Sequence, residues 1–251
     1  GPKTYKTFSA AGKHTGSGDT FLKLGAVKFL LEMRPRQDEL NEAAFACHQA
    51  GFQLSFHAVE QKTVEAAVCA VEYITERAEV TGRRHRIEHC GECPIDLLER
   101  IKKLGMVIVT QPANLYYSGE RYLATVAQSQ LPWLYRIKAP LDAGVNVAGS
   151  SDTPVVPCDP LMGVYSAVMR RARSGQTLLP EERLTPETAL KLFTINAAYA
   201  DFDETIKGSI APGKLADLVV LSDDPTRVPP ENIKDIKVEM TIVGGKVVWE
   251  K

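Results

Sequence analysis

The chain has 251 residues, 44% hydrophobic and 24% charged, and its 30 basic and 31 acidic side chains leave a formal charge of -1. That length suits one large domain, or one domain with a small appendage. The balanced charge gives no ground for nucleic acid or an anionic membrane as partner. No apolar run approaches the roughly 20 residues of a membrane span, and no signal-peptide core is read near residue 1. The five cysteines are odd in number, and Cys47 and Cys69 fall on apolar helix faces. Reduced thiols and a cytoplasmic setting are therefore expected.

In chain order, residues 1–19 are rich in Gly, Ser, Thr and Lys without an apolar period, and read as a loop or frayed end. Residues 21–31 (FLKLGAVKFLL) read as a buried strand carrying Lys28, a costly residue there unless paired or modified. Residues 38–51 place Leu40, Ala43, Ala44 and Cys47 at helical spacing and stop at a glycine. Residues 53–60 (QLSFHAVE) read as a short buried strand delivering His57 to its far end, and residues 63–78 repeat the helical pattern. Helix, buried strand, helix is the mark of an α/β chain with parallel strands.

Residues 84–90 (RHRIEHC) form a further predicted strand ending at His89, with Arg84 and Arg86 placed to meet buried carboxylates; an amphipathic helix over 94–104 follows. Residues 106–113 (MVIVTQPA) are the clearest β run. Residues 114–131 lack a period and read as a long functional loop, whose Tyr116, Tyr117 and Arg121 are candidates to line a substrate pocket. A helix over 134–143 precedes a strand over 145–152 that ends at Asp152. Residues 160–172 form an amphipathic helix, with Arg170, Arg171 and Arg173 as its solvated end. Thr185 caps the next helix and Pro186 takes its first position. The tail changes character: strands at 216–221 and 237–249, the second folded at Gly244–Gly245, have no helix between them and read as a small antiparallel unit. The expected division is thus a loop at 1–20, a (β/α) portion at 21–205 and a β portion at 206–251.

Lys28, His57 and His89 recur at about thirty-residue intervals, close to one βα unit, and Asp152 follows two units later. Catalytic groups of α/β folds gather at the carboxyl ends of the strands. Two imidazoles and a carboxylate there suit zinc or another divalent metal, and three protein ligands leave a position for water. Lys28 cannot ligate as an ammonium, but as a carbamate it would offer two oxygens able to bridge two ions. Cys90 and Cys93 form a C-x-x-C before a helix, an alternative thiol-oxidoreductase signal; a structural zinc would need a second such pair, and none exists.

Taken together, LGAVK at 24–28, FHAVE at 56–60, RHRIEHC at 84–90, GSSDTPVVP at 149–157 and KGSIAPGKLADLVVL at 207–221 resemble the amidohydrolase superfamily. The likeness is to its branch of metal-dependent hydrolases that contains N-substituted formamide deformylase. This resemblance implies a TIM-like (β/α)8 barrel, here incomplete with strands four to eight, beside part of a small C-terminal β-sandwich. It implies metal ligation by His57 and His89, Asp152 as metal-associated general base, and a carboxylated Lys28 with one or two ions. The implied activity is hydrolysis of an amide or other non-peptide C–N bond in a small-molecule substrate by metal-activated water. The family places a His-x-His pair on its first strand, and this sequence contains none. A segment that usually follows the strand-four lysine is also shortened at residues 32–35. A fragment of a protein about twice this length is therefore expected, working as a homo-oligomer or paired with the missing N-terminal half. The alternative is a catalytically inert scaffold or subunit of a split barrel.

Overall fold

The structure is a computed structural model that describes residues 1–31 and 36–251; the shortened segment at 32–35 lies outside the described residues. It is a mixed α/β fold with a parallel five-stranded sheet in the order β1-β2-β3-β4-β5, the strands being Val27–Leu30, Leu54–Ala58, Arg86–His89, Val107–Thr110 and Val147–Gly149. By its internal contacts the chain divides into two compact units. The first holds Gly1–Val109, Trp133–Arg136 and Pro140–Asn146, and the second Thr110–Pro132, Ile137–Ala139 and Val147–Lys251.

In the first unit the helices are α1 (Tyr5–Ala10), α2 (Gln37–Gln49), α3 (Gln61–Thr75) and α4 (Ile95–Lys103). α3 buries Val64, Ala67, Val68, Val71 and Ile74, the one-face spacing of an amphipathic helix. Strand register sorts the side chains cleanly. Lys28, Ser55, Arg86 and Val107 pair across one row, and Leu30, His57, Glu88 and Val109 across the next. Side chains alternate along a strand, so both rows lie on one face, which is largely polar. The opposite face carries Val27, Phe29, Leu54, Phe56, Ile87 and Ile108, all buried, with Phe29 and Phe56 stacked at 5.3 Å. Full burial of each large apolar side chain contributes roughly 1.5–3 kcal/mol.

Two predicted elements differ here. The strand expected over 21–31 is only Val27–Leu30, and Phe21 and Leu22 are 98% and 77% exposed. Asp19 is the reason: its carboxylate accepts the main-chain N–H groups of Phe21 and Leu22 at 2.7 and 2.9 Å, a turn that takes this backbone out of the ladder. Residues 1–19, expected to be loop, include the one-and-a-half-turn α1, which buries none of its side chains.

α6 (Lys138–Asp142) is shared between the two units, and in the second α5 (Ala113–Thr125), α7 (Pro160–Met169), α8 (Pro186–Leu192) and α9 (Ile195–Ala200) precede the antiparallel sheet of β6 (Leu218–Leu221), β7 (Val238–Val243) and β8 (Lys246–Glu250). α5 corrects the expected functional loop over 114–131. α7 starts at Asp159, whose carboxylate accepts the Leu161 and Met162 N–H groups, and α8 starts at Thr185 as anticipated. α7 ends at Arg170 in the left-handed region, φ +52. Arg170 was expected in solvent but is fully buried, donating from Nε to the Leu178 carbonyl at 3.1 Å. Burial lowers its pKa to about 10, against the opposing pull of Glu182 and Glu181. Gly244 and Gly245, at φ +56 and +78, make the β7–β8 turn, and a 3-10 helix at Pro230–Asp235 lies between β6 and β7 where none was expected. Among the described residues no helix is long and apolar enough to cross a membrane.

Candidate metal centre

His57 is the fourth residue of β2 and His89 the last of β3. Their rings meet: His89 Nε2 lies 3.1 Å from His57 Nδ1, with centroids 4.2 Å apart and planes at 61°. Regular alternation would not bring them together, because Ala58 and not His57 is the register partner of His89. The backbone makes the difference. His89 and Cys90 both hold positive φ, +75 and +52, so the chain leaves the pleat where the imidazole must be re-aimed.

The separation fits a shared cation. Two imidazole nitrogens bound to one tetrahedral zinc at 2.0–2.1 Å stand about 3.3 Å apart, close to the 3.1 Å found here. Beside His57 on the polar face, Glu88 Oε1 accepts Ser55 Oγ–H at 2.6 Å and Arg86 Nε–H at 3.0 Å. The expected buried carboxylate partner of Arg86 is thus Glu88. Its signal was the alternation R-I-E on one strand face, which sequence reasoning did not take up. Lys28 sits half-buried on that same face. Its register partner is Ser55, two residues back from His57, so Lys28 lies one pleat repeat deeper than the histidine.

Asp152 stands apart in two respects. β5 ends at Gly149, so the aspartate lies three residues beyond the strand instead of at its end, exposed and at φ +58. It also belongs to the second compact unit, whereas both histidines belong to the first. Among the described residues no group of three or more His, Cys, Asp or Glu side chains is set to hold a metal ion. Of the four residues predicted as ligands, His57 and His89 are brought into contact with each other.

Tyr116, Tyr117 and Arg121 lie on α5. Tyr116 packs edge-on against Tyr117 at 5.2 Å and Tyr165 at 5.8 Å, and Arg121 lies over the Tyr122 ring. Tyr117 and Arg121, one helical turn apart, are exposed. Cys90 and Cys93 are only 4% and 3% exposed, and thiol exchange needs a sulfur that a partner disulfide can reach. One residue escaped sequence reasoning altogether. Asn114, near the start of α5, is buried with its Oδ1 unpartnered.

Comparison with known proteins identifies the family. A model of the "Amidohydrolase family" matches residues 6–249. The putative amidohydrolase YtcJ of Bacillus subtilis is 28% identical over 206 residues, covering 81% of this chain and 38% of the relative. The N-substituted formamide deformylase of Arthrobacter pascens is 28% identical over 222 residues, covering 86% and 40%. The chain therefore spans about two-fifths of the length of these curated relatives. An uncharacterized metal-dependent hydrolase from Pyrococcus horikoshii OT3 superposes with a TM-score of 0.77 at 24% identity, covering 91% of this chain and 50% of that one. With the family model running almost the full length of the sequence, the chain belongs to the amidohydrolase family.

Proposed function

We propose that this chain supplies the strand-four-to-eight part of a (β/α)8 barrel, residues 21–205, and part of a β-sandwich, residues 206–251, in a metal-dependent hydrolase of a non-peptide C–N bond. The observation that carries the reading is the 3.1 Å approach of His57 and His89 at neighbouring strand ends. His57 and His89 would hold the divalent cation, with zinc the best match to two imidazoles. Asp152 and, as a carbamate, Lys28 complete the proposed ligand set for one or two ions. A bound divalent cation lowers the pKa of a coordinated water and polarises a carbonyl.

The protein's own part is proton handling and orientation. Asp152, as a carboxylate, accepts the proton of the attacking water and passes it to the leaving nitrogen. Glu88, fixed by Ser55 and Arg86, sets a carboxylate beside His57 on the polar face. Tyr116, Tyr117 and Arg121 line the substrate side. The name of the Arthrobacter relative makes N-substituted formamides the first substrate class to assay. The reading includes completion of the barrel by residues beyond this chain, or by a second copy.

His57→Ala or His89→Ala should abolish turnover by the assembled enzyme and remove its zinc, measured by elemental analysis. Undiminished turnover would refute the assigned roles. A second reading, a scaffold that binds no metal itself, draws on the cluster of only two ligands among the described residues. Stoichiometric zinc in the purified protein would exclude it.

A further inference from the structure

At the carboxyl end of β4 the second unit holds a group of polar side chains that the proton-transfer scheme does not use. Gln111 Nε2 donates to Ser150 Oγ at 2.9 Å, and the Ser150 N–H donates to the Thr110 carbonyl at 2.8 Å. These bonds tie the start of the Asp152 segment to the end of β4. Asn114 stands four residues after Thr110, in the first turn of α5. It is only 6% exposed, and its Oδ1 has no hydrogen-bond partner. Thr110 Oγ1, just before it, is likewise buried and unpartnered.

A buried carboxamide oxygen without a donor is costly to the free protein, so folds rarely retain one without a use. This one sits where parallel α/β folds bind their ligands, within three residues of Gln111 and on the helix that carries Tyr116 and Tyr117. We infer that Asn114 Oδ1 is a substrate-orienting acceptor for a hydrogen-bond donor, the N–H of a secondary amide. The assignment rests on the C–N hydrolase reading for its substrate class. Its consequence is discrimination between a secondary amide, which carries that N–H, and a tertiary amide, which does not. A site built to pair with a donor rejects the analogue lacking it, because the site's own polar group then stays buried and unsatisfied.

The test uses the full chain without added metal, so binding is read independently of turnover. N-butylformamide and its N-methylated analogue N-butyl-N-methylformamide are titrated by ligand-observed NMR, and urea midpoints are recorded without ligand. The parent should bind the secondary amide about tenfold more tightly, roughly one hydrogen bond's worth. Asn114→Leu should abolish that preference and leave the urea midpoint no lower than the parent's. Equal binding of the two amides by the parent, binding of neither, or a preference that survives in Asn114→Leu would overturn the inference. A lowered midpoint in both Asn114→Leu and Asn114→Ala would do so too, by showing that the carboxamide serves the fold. Loss of metal-dependent hydrolysis with the amide preference intact would count against the C–N hydrolase reading alone.

Discussion

The first unit contains two histidine pairs, and they differ in everything except their spacing. His57 and His89 approach to 3.1 Å at the carboxyl ends of their strands; His48 and His85 approach to 3.0 Å just before β3 begins. In the second pair the protons can be placed. The Leu54 N–H donates to His85 Nδ1 at 3.1 Å, so His85 carries its proton on Nε2 and gives it to His48 Nδ1. Both nitrogens of His85 are engaged and both rings are buried. Desolvation first, then the repulsion a protonated His85 would meet from His48 and Arg83, pushes the His85 pKa down to about 3. His48 is lowered as well, by burial first and Arg83 second. Two imidazoles in contact are therefore not in themselves a metal site. A buried pair locked neutral ahead of its strand is a structural brace, whereas the pair at the carboxyl ends of β2 and β3, with His57 only half-buried, stands where parallel folds gather their chemistry.

The sharpest way to break this comparison is to exchange losses between the pairs. His57→Ala and His89→Ala should each lower turnover of the assembled enzyme by at least about a thousandfold, with little change in the urea midpoint. His85→Ala should do the reverse. It strands the Leu54 N–H and leaves His48 without its donor, at a cost of about 2–4 kcal/mol in a denaturant melt.

Acid titration comes next in size. Both brace histidines have folded pKa values below the ordinary 6.5, so below 6.5 the unfolded chain takes up protons that the folded chain refuses. Their contribution to stability is complete above pH 6.5 and falls below it; for His85 the fall continues toward pH 3, by up to about 1.4 kcal/mol per pH unit. His48→Phe with His85→Leu should flatten the slope between pH 6.5 and 5; an unchanged slope would show that the brace does not titrate as described.

Glu88→Gln is expected to cost about 1–2 kcal/mol, since it weakens two bonds at a mostly buried carboxylate, and a melt measures this directly. Arg121→Ala should shift stability by less than about 0.5 kcal/mol while raising KM if Tyr117 and Arg121 face the substrate. An unchanged KM would return that face of α5 to ordinary surface.

Much of this was readable from residue order because local signals and burial agreed. The strand delivering His57, the helix α3, the start of α8 at Thr185-Pro186 and the Gly244–Gly245 hairpin follow from periodicity, caps and turn chemistry. The misreadings share a cause, in that a side chain or backbone bond overrode the apolar pattern. Asp19 turned the chain where Phe21 and Leu22 spelled strand. The buried side of α5 includes Asn114 and Gly119, which hide its helical period; Gly119 is small because a Cβ there would come within 2.7 Å of Ala172. Arg170 was hidden among charges, yet its left-handed position at the end of α7 lets the guanidinium fold inward. The approach of His57 to His89 was legible only as two strand ends, since the positive φ that joins them has no glycine to announce it.

Cobalt(II) loading followed by visible absorption addresses the contrast between the two pairs most directly. The account predicts stoichiometric cobalt with imidazole-ligated bands in the parent protein and in folded His48→Phe, and loss of the bands in His57→Ala and His89→Ala. Cobalt bound equally well by His57→Ala and His89→Ala, or lost only when His48 is replaced, would contradict it.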